Sequence, residues 1–224
     1  IHYLWKREMS DNPLAQYFRT AAIHLDLPSR GNFYPDGSLD LPETGEVPVY
    51  PMSAIDEITY KTPDALFNGS AIVDVIKSCV PAIKDPWQMP ALDLTAVLAS
   101  IRIASFGHNM DLETTCPKCE VTADYQLDLR EVIESIKSGE YEVPVVVGDL
   151  KIFLQPLSYK IVNDNNHAQF TDQQLANVLQ TQDMDEAQRL KILSDAFRKV
   201  SDFTLATLSK GIRCIQTPDA TVTD

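Results

Sequence analysis

Residues 114–129 read TTCPKCEVTADYQLDL and contain a Cys-x-x-Cys pair, Cys116 and Cys119. Apolar and polar residues alternate from Val121 onward, and this period of two predicts a β-strand after the pair. Residues 112–115 form a second extended piece before it, so the pair lies in the turn of a predicted hairpin. A turn of this kind aims two thiolates at one metal ion, as in a zinc ribbon.

The hairpin alone does not complete a metal site. Structural zinc takes four ligands, and a full ribbon supplies a second cysteine pair about 15 to 20 residues later, which this sequence lacks. Beside Cys116 and Cys119, the further ligands would come from His108, from an acid such as Asp124, or from a second chain. Three interpretations stay open: a ribbon relic without zinc, zinc with borrowed ligands, and a redox pair. Redox sites of the thioredoxin type place the pair at a helix start, whereas a strand follows here.

The remaining periodicity predicts helices on both sides of this hairpin and one further hairpin. Residues 141–157 read as two strands joined by the turn Gly148-Asp149. Gly107 ends a helix that is apolar nearly all round and should be central. The fold class is therefore predicted as α+β, mainly helical with two β-hairpins, one of which carries a zinc-ribbon-like CxxC knuckle. Helices are predicted over residues 11–26, 54–61, 70–80, 93–107, 129–138, 158–167 and 183–210.

Three segments follow from this pattern. Residues 1–46 combine an N-terminal helix with a Pro/Gly-rich arm, and residues 47–138 form a core helical region with the CxxC hairpin. Residues 139–224 hold the second hairpin and the C-terminal helices. The alternative is one continuous domain. The chain begins at Ile1 without the pattern of a signal or transit peptide, so we expect a trimmed chain.

The charge balance limits the classes of partner. Of 224 residues, 32 are Asp or Glu and 19 are Lys or Arg, which gives a net charge of −13. Phosphates are repelled by such a surface, so we expect no nucleic-acid partner. No apolar run reaches the ~18 to 20 residues of a membrane span, so we expect no membrane partner. Residues 111–149 hold ten acids against three bases, either as a solvated face or as a docking surface for a basic partner.

Catalytic motifs are absent from the sequence. It contains no phosphate-binding GxxxxGK[ST], no GxSxG and no HExxH, and we predict a protein that is not an enzyme, with no catalytic residues. The abundant carboxylates leave one alternative, a hydrolase with an acidic site. The four cysteines are too few and scattered for a secreted disulfide scaffold, which favours a reducing cytosol. Cys79 lies on an apolar helical stripe and is predicted to be buried, and Arg102 should meet a helix C-terminus or a carboxylate, which Asp56 or Glu57 could supply.

Several aromatic and sulfur-containing side chains are candidates for partner contact. Residues 27–46 form a long loop without predicted structure, and loops of this length are often functional. We expect it to be an arm that orders against a neighbouring protein. The contact candidates belong either to the core or to an apolar contact patch: Tyr34, Tyr50, Met52, Tyr60 and Phe67.

Short sequence blocks in this region resemble a known family. Residues 47–86 read VPVYPMSAIDEITYKTPDALFNGSAIVDVIKSCVPAIKDP, residues 92–107 read LDLTAVLASIRIASFG, and residues 27–35 read LPSRGNFYP. Together with the single CPKC knuckle they resemble the T-even-type phage baseplate proteins, the hub and hub-assembly subunits of contractile-tailed bacteriophages. The resemblance covers residues 27–130 well and the rest loosely.

The resemblance implies a structural or assembly component of a contractile tail baseplate hub that acts by protein–protein contacts without catalysis. Its partners would be other phage baseplate or tail proteins in a multi-subunit complex, in the virion tail baseplate that is assembled in the host cytoplasm. Cys116 and Cys119 would be the knuckle ligands, with zinc as the cofactor if the site is complete. Two other functions stay open, a tail-associated hydrolase and a zinc-dependent adaptor in an unrelated cellular complex.

Overall fold

A computed structural model describes residues 19–63, 68–181 and 186–223. Six helices have their bounds within these residues, together with a short 3-10 helix over Pro86–Gln88. The helices are α1 (Ala54–Tyr60), α2 (Ser70–Cys79), α3 (Ala91–Phe106), α4 (Leu129–Ser135), α5 (Tyr159–Thr181) and α6 (Glu186–Lys210). None of the described helices is long and apolar enough to span a lipid bilayer.

Eight strands form three small antiparallel sheets in the described residues. The first sheet pairs β1 (Ile23–Asp26) with β2 (Glu46–Val49), and the second pairs β3 (Asn109–Thr115) with β4 (Thr122–Asp128). The third has the order β5-β6-β7-β8, with strands at Val145–Val147, Leu150–Leu154, Ile212–Gln216 and Thr221–Thr223.

The prediction of a mainly helical chain with two hairpins is wrong. About 40% of the structure is helical and 24% is strand. Three pairings were not predicted from the sequence pattern: β1 with β2, β6 with β7, and β7 with β8. Residues 23–26 were predicted as the end of a helix, but they alternate in burial and pair with β2 across the intervening loop. Tertiary pairing therefore overrides the local helical preference. Residues 11–18 of that predicted helix lie outside the described residues.

The zinc-ribbon description of the CxxC hairpin is also wrong. Within the described ranges, no group of three or more His, Cys, Asp and Glu side chains is placed to hold a metal ion. A structural zinc site needs four ligands, and the hairpin tip supplies two. The hairpin itself is confirmed, because β3 and β4 pair along their full length.

One hydrophobic core brings the first sheet together with helices α2 and α3. Its buried members include Val47 and Val49 of β2, Ile76 of α2 and Val97 of α3. Cys79 is fully buried in the same cluster, as predicted. Ile133 and Ile136 pack against the cluster from α4 and the residue after it. The core therefore joins sequence segments from both sides of the CxxC hairpin.

The long loop between β1 and β2 is held against this core by a buried carboxylate. Asp93, in the first turn of α3, is fully buried. Its carboxylate accepts hydrogen bonds from the Ser29 N–H at 2.7 Å, the Ser29 hydroxyl at 2.6 Å and the Tyr34 phenol at 3.0 Å. Leu39 also forms an isolated β-bridge with Ile83. The loop predicted as an arm for a neighbour is thus anchored to its own chain.

Candidate functional site

An apolar groove opens between α1, α2 and α3 and is the candidate interaction site. Its volume is about 530 Å³. Three charged residues, Glu57, Lys61 and Arg102, also face it. The apolar walls consist of Met52, Tyr60, Ile72, Val75, Leu98, Ile101, Phe106 and Met110. Concave apolar surfaces with a few polar groups are the usual form of a binding site.

Helix α1 packs on its neighbours with one acidic side chain, that of Asp56, facing inward. Asp56 is its buried residue, whereas Ile55 is 75% exposed and Ile58 is 69% exposed. The spacing of three places both isoleucines on the same outward face. A short helix that buries an acid and presents two isoleucines has an apolar face without cover from the described residues.

Hydrogen bonds explain the inward position of Asp56. Its carboxylate accepts from the Ser53 N–H at 2.7 Å and the Ser78 hydroxyl at 3.0 Å, and the Arg19 guanidinium lies 3.8 Å away. Burial raises the pKa of Asp56, but the bonds from Ser53 and Ser78 and the charge of Arg19 outweigh it, so the pKa lies below its usual value. Ser53 also caps α1, and Ser53 and Asp56 together form a capping box.

Arg102 supplies positive charge at the end of the groove. Its Nη1 donates to the Gly107 carbonyl at 3.1 Å, and its guanidinium carbon lies 4.9 Å from the centre of the Phe106 ring. The Gly107 carbonyl follows directly on the last turn of α3, so the predicted contact with a helix C-terminus is confirmed. Asp56 does not serve as its partner, because Ser53, Ser78 and Arg19 surround that carboxylate.

The predicted contact residues are divided between several places. Met52 and Tyr60 line the groove. Tyr50 lies outside it, with the Arg19 guanidinium carbon 6.0 Å from its ring centre. Tyr34 contacts Asp93 inside the chain. Phe67 lies outside the described residues.

Sequence reasoning missed the contribution of α3 and β3 to the groove. Leu98 and Phe106 of α3 and Met110 of β3 form one wall, and Phe106 is 53% exposed. The sequence signal for this wall was the apolar pattern around the whole of α3. A helix that is apolar on all sides must also bury the side that does not face the core.

The two hairpin cysteines lie at an exposed tip. The Cys116 N–H donates to the Val121 carbonyl at 3.0 Å, and the Glu120 N–H donates back to the Cys116 carbonyl at 2.8 Å. Hydrogen bonds to the Cys116 sulfur from the N–H groups of Lys118 and Cys119, and from the Cys119 thiol, lower the pKa of Cys116. Both cysteines are free thiols, and the turn favours the thiolate form of Cys116.

The structure does not bring the proposed extra ligands to this tip. His108 precedes β3, at the opposite end of the hairpin, and seven strand residues separate it from Cys116. At ~3.4 Å per residue the separation is roughly 20 Å or more. Asp124 pairs with Glu113 partway along the hairpin.

A second cavity, of about 650 Å³, carries two carboxylates. Asp26 of β1 and Glu134 of α4 both line it, together with Arg30. Both acids are exposed to solvent. The acidic-site alternative thus finds two carboxylates, Asp26 and Glu134, in this depression.

The four-stranded sheet exposes a row of apolar side chains. The strand register aligns Val145, Ile152, Ile215 and Val222 across all four strands, on one face. Val145 is 48% exposed and Val222 is 60% exposed. The sheet therefore presents a second apolar surface, which shares no residue with the groove.

Comparison with known proteins finds one match. A family model described as T4 bacteriophage base plate protein matches residues 40–192, more than half of the chain. No curated protein and no solved structure matches. The matched range includes the groove, the CxxC hairpin and strands β5 and β6 of the four-stranded sheet.

Proposed function

Because the chain belongs to the T4 bacteriophage base plate protein family, we propose that it is a structural or assembly component of the baseplate hub of a contractile tail. The family indicates a structural part of a phage baseplate that associates with other tail proteins. The finer proposal is that it works at the hub, through protein–protein contacts and without catalysis, in a multi-subunit complex that assembles in the host cytoplasm.

The observation that carries this proposal is the groove together with the outward isoleucines of α1. Aromatic and Met side chains are enriched at the centres of protein interfaces, and this groove contains Tyr60, Phe106 and two methionines. Ile55 and Ile58 extend the apolar surface over α1. An apolar patch rimmed by polar residues is typical of a protein contact site.

The copy number of the chain in purified particles tests the proposal. Quantitative mass spectrometry against established tail proteins would measure it in mature particles and in tail precursors from infected cells. A fixed copy number in particles identifies a built-in part, and presence in precursors alone identifies an assembly factor that leaves. Absence from both would contradict the proposal.

A second candidate function, a tail-associated hydrolase, rests on the cavity with Asp26 and Glu134. Glycoside hydrolysis needs two carboxyl groups about 5 to 10 Å apart on either side of the scissile bond. The cavity offers the pair of acids. Release of reducing ends from peptidoglycan by the wild type, and its loss in Asp26→Asn/Glu134→Gln, would separate this alternative from a contact function.

A further inference from the structure

The groove between α1, α2 and α3 combines apolar walls with positive charge that the described residues leave unmatched. Arg102 and Lys61 both face it, against one acid, Glu57. In the described part of the chain, no carboxylate lies within 4.0 Å of the charged nitrogens of either cation. The protein as a whole is acidic, with 32 acids and 19 bases. The lining of the groove, with two cations and one acid, has the opposite balance of charge.

Arg102 is positioned to receive a carboxylate. Its one hydrogen bond within the described residues goes from Nη1 to the Gly107 carbonyl. A guanidinium has five N–H donors, so donors remain for a bidentate pair with a carboxylate. The Phe106 ring, 4.9 Å away, limits the directions that the guanidinium can take. Arginine and aromatic residues in such an arrangement are frequent energetic centres of interfaces.

The walls also restrict the backbone of the occupant. Ten of the eleven lining residues belong to the three helices or lie directly beside them, and one, Met110, belongs to strand β3. Along helical walls an extended segment finds few free backbone partners, whereas a helix satisfies its own backbone hydrogen bonds.

We propose that this groove receives an amphipathic helix of a different tail protein, with apolar side chains in the groove and an acidic residue paired with Arg102. This inference rests on the proposed contact function and names the partner of the same site. A second copy of the chain is disfavoured because each copy has a net charge of −13. Helices in grooves present anchors at i, i+3 or i+4, and i+7, which fits a concave site of about 530 Å³.

Site-specific crosslinking during tail assembly tests the inference. The photo-reactive residue p-benzoylphenylalanine would replace Tyr60, which faces the groove, or Tyr125, which is 54% exposed on β4, as the control position. Mass spectrometry then identifies the crosslinked peptide. We expect crosslinks from position 60 to one segment of another tail protein, with helical apolar spacing and an Asp or Glu.

Charge reversal then tests the role of Arg102. Arg102→Glu should reduce the crosslink at position 60 at least about tenfold, because it leaves the partner's carboxylate facing a like charge. Arg102→Gln should give a smaller loss. Lys151→Glu, an exposed reversal on β6, is the matched control and should leave the crosslink unchanged. Changing the partner's acid to Lys should restore the crosslink of Arg102→Glu.

Several outcomes would overturn the inference. They are the absence of a crosslink at position 60, a crosslink to a second copy of the chain, a partner segment without an acid, and equal effects of Arg102→Glu and Lys151→Glu. Urea unfolding of each variant separates loss of contact from loss of folding. If the particle copy number is fixed while these tests fail, the proposed function stands and the assignment of the groove falls.

Discussion

The phenol of Tyr34 donates a 3.0 Å hydrogen bond to the carboxylate of Asp93, 59 residues further along the chain. The same carboxylate accepts two hydrogen bonds from Ser29. The loop between β1 and β2 is therefore tied to the first turn of α3 through one buried acid. The phenol pKa of Tyr34 is raised by burial and by the charge of Asp93, which keeps the phenol a donor.

Tyr34→Phe should lower the free energy of unfolding by about 1 to 3 kcal/mol, because it removes one hydrogen bond to a buried carboxylate. Tyr50→Phe is the matched control, since the hydroxyl of Tyr50 makes no hydrogen bond within the described residues. Urea unfolding of both variants measures the difference. Equal stability of the two variants would contradict the anchoring role of Tyr34.

Asp93 should also give the stability a defined pH dependence. Burial raises its pKa from the ordinary 3.8, although the hydrogen bonds from Ser29 and Tyr34 act in the opposite direction. The Asp93 carboxyl group therefore stays protonated to a higher pH in the folded state than in the unfolded chain. The contribution of the protonated group to stability is fully present below the unfolded pKa and is lost as the pH rises through the folded pKa.

Asp93→Asn removes this titration. The unfolding free energy of Asp93→Asn minus that of the wild type should rise as the pH increases above 3.8, and then become constant. The other carboxylates titrate in both proteins and cancel in the difference. Urea unfolding at a series of pH values measures it, and a difference that is flat or falls with pH would show that burial does not raise the pKa of Asp93.

Local patterns in the sequence predicted local structure well. The alternation after Val121 predicted β4, and the spacing of apolar residues predicted α6. Each of these features depends on residues within one or two turns of helix or one strand. The family resemblance also rested on short local blocks, and the family is confirmed.

Long-range contacts were not predictable in the same way. The β1–β2 pair and the bonds of Asp93 to Ser29 join residues 20 or more positions apart, and no periodicity encodes them. The groove depends on how three helices pack, so Tyr60 could be predicted as a contact residue while Arg102 and Phe106 could not. The domain boundaries after residues 46 and 138 remain predictions.

Gly69 should tolerate a side chain less well than Gly37. Both have positive φ, +78° and +79°, a conformation that favours glycine. A Cβ at Gly69 would lie 2.5 Å from Asn163 Oδ1 and 2.9 Å from the Tyr159 phenol oxygen, whereas a Cβ at Gly37 meets nothing within 4 Å. The two positions therefore share backbone strain and differ in crowding.

Gly37→Ala should cost about 1 kcal/mol of unfolding free energy from the backbone alone. Gly69→Ala should cost about 1 to 3 kcal/mol more, because Asn163 and Tyr159 of α5 must move. The midpoints of urea unfolding compare them. Similar midpoints for both variants would mean that α5 does not pack on the start of α2 as described.

Cys116 should be the most readily alkylated cysteine near neutral pH. Backbone N–H groups of Lys118 and Cys119 and the Cys119 thiol lower its pKa from the ordinary 9.0. The midpoint of its iodoacetamide alkylation rate against pH should thus lie below 9.0. Cys79 should stay unmodified in the folded protein, since it is fully buried and burial raises its pKa.

Cys119→Ala should move the midpoint for Cys116 part of the way back toward 9.0, because it removes the thiol donor and keeps both backbone donors. Mass spectrometry of peptides after timed alkylation measures each site separately. A Cys116 midpoint at or above 9.0 in the wild type would contradict the hydrogen bonding at the hairpin tip.

The final prediction separates the contact function from the hydrolase alternative. Asp26 and Glu134 line one cavity, and a glycosidase would need both carboxyl groups, one as acid and one as base or nucleophile. We expect the purified protein to release no reducing ends from bacterial cell-wall peptidoglycan, and the variant Asp26→Asn/Glu134→Gln to behave identically. Both residues are exposed, so these changes should alter stability by less than about 0.5 kcal/mol.

Release of reducing ends by the wild type, abolished in the double variant, would establish the hydrolase and end the contact-only proposal. Asp36→Asn/Glu43→Gln is the matched control, because it removes two exposed acids of the loop between β1 and β2 that do not line this cavity. Activity that persists in both double variants would come from a contaminant or from other residues. If the protein acts only through contacts at the α1–α2–α3 groove, the wild type and both double variants should all be inactive.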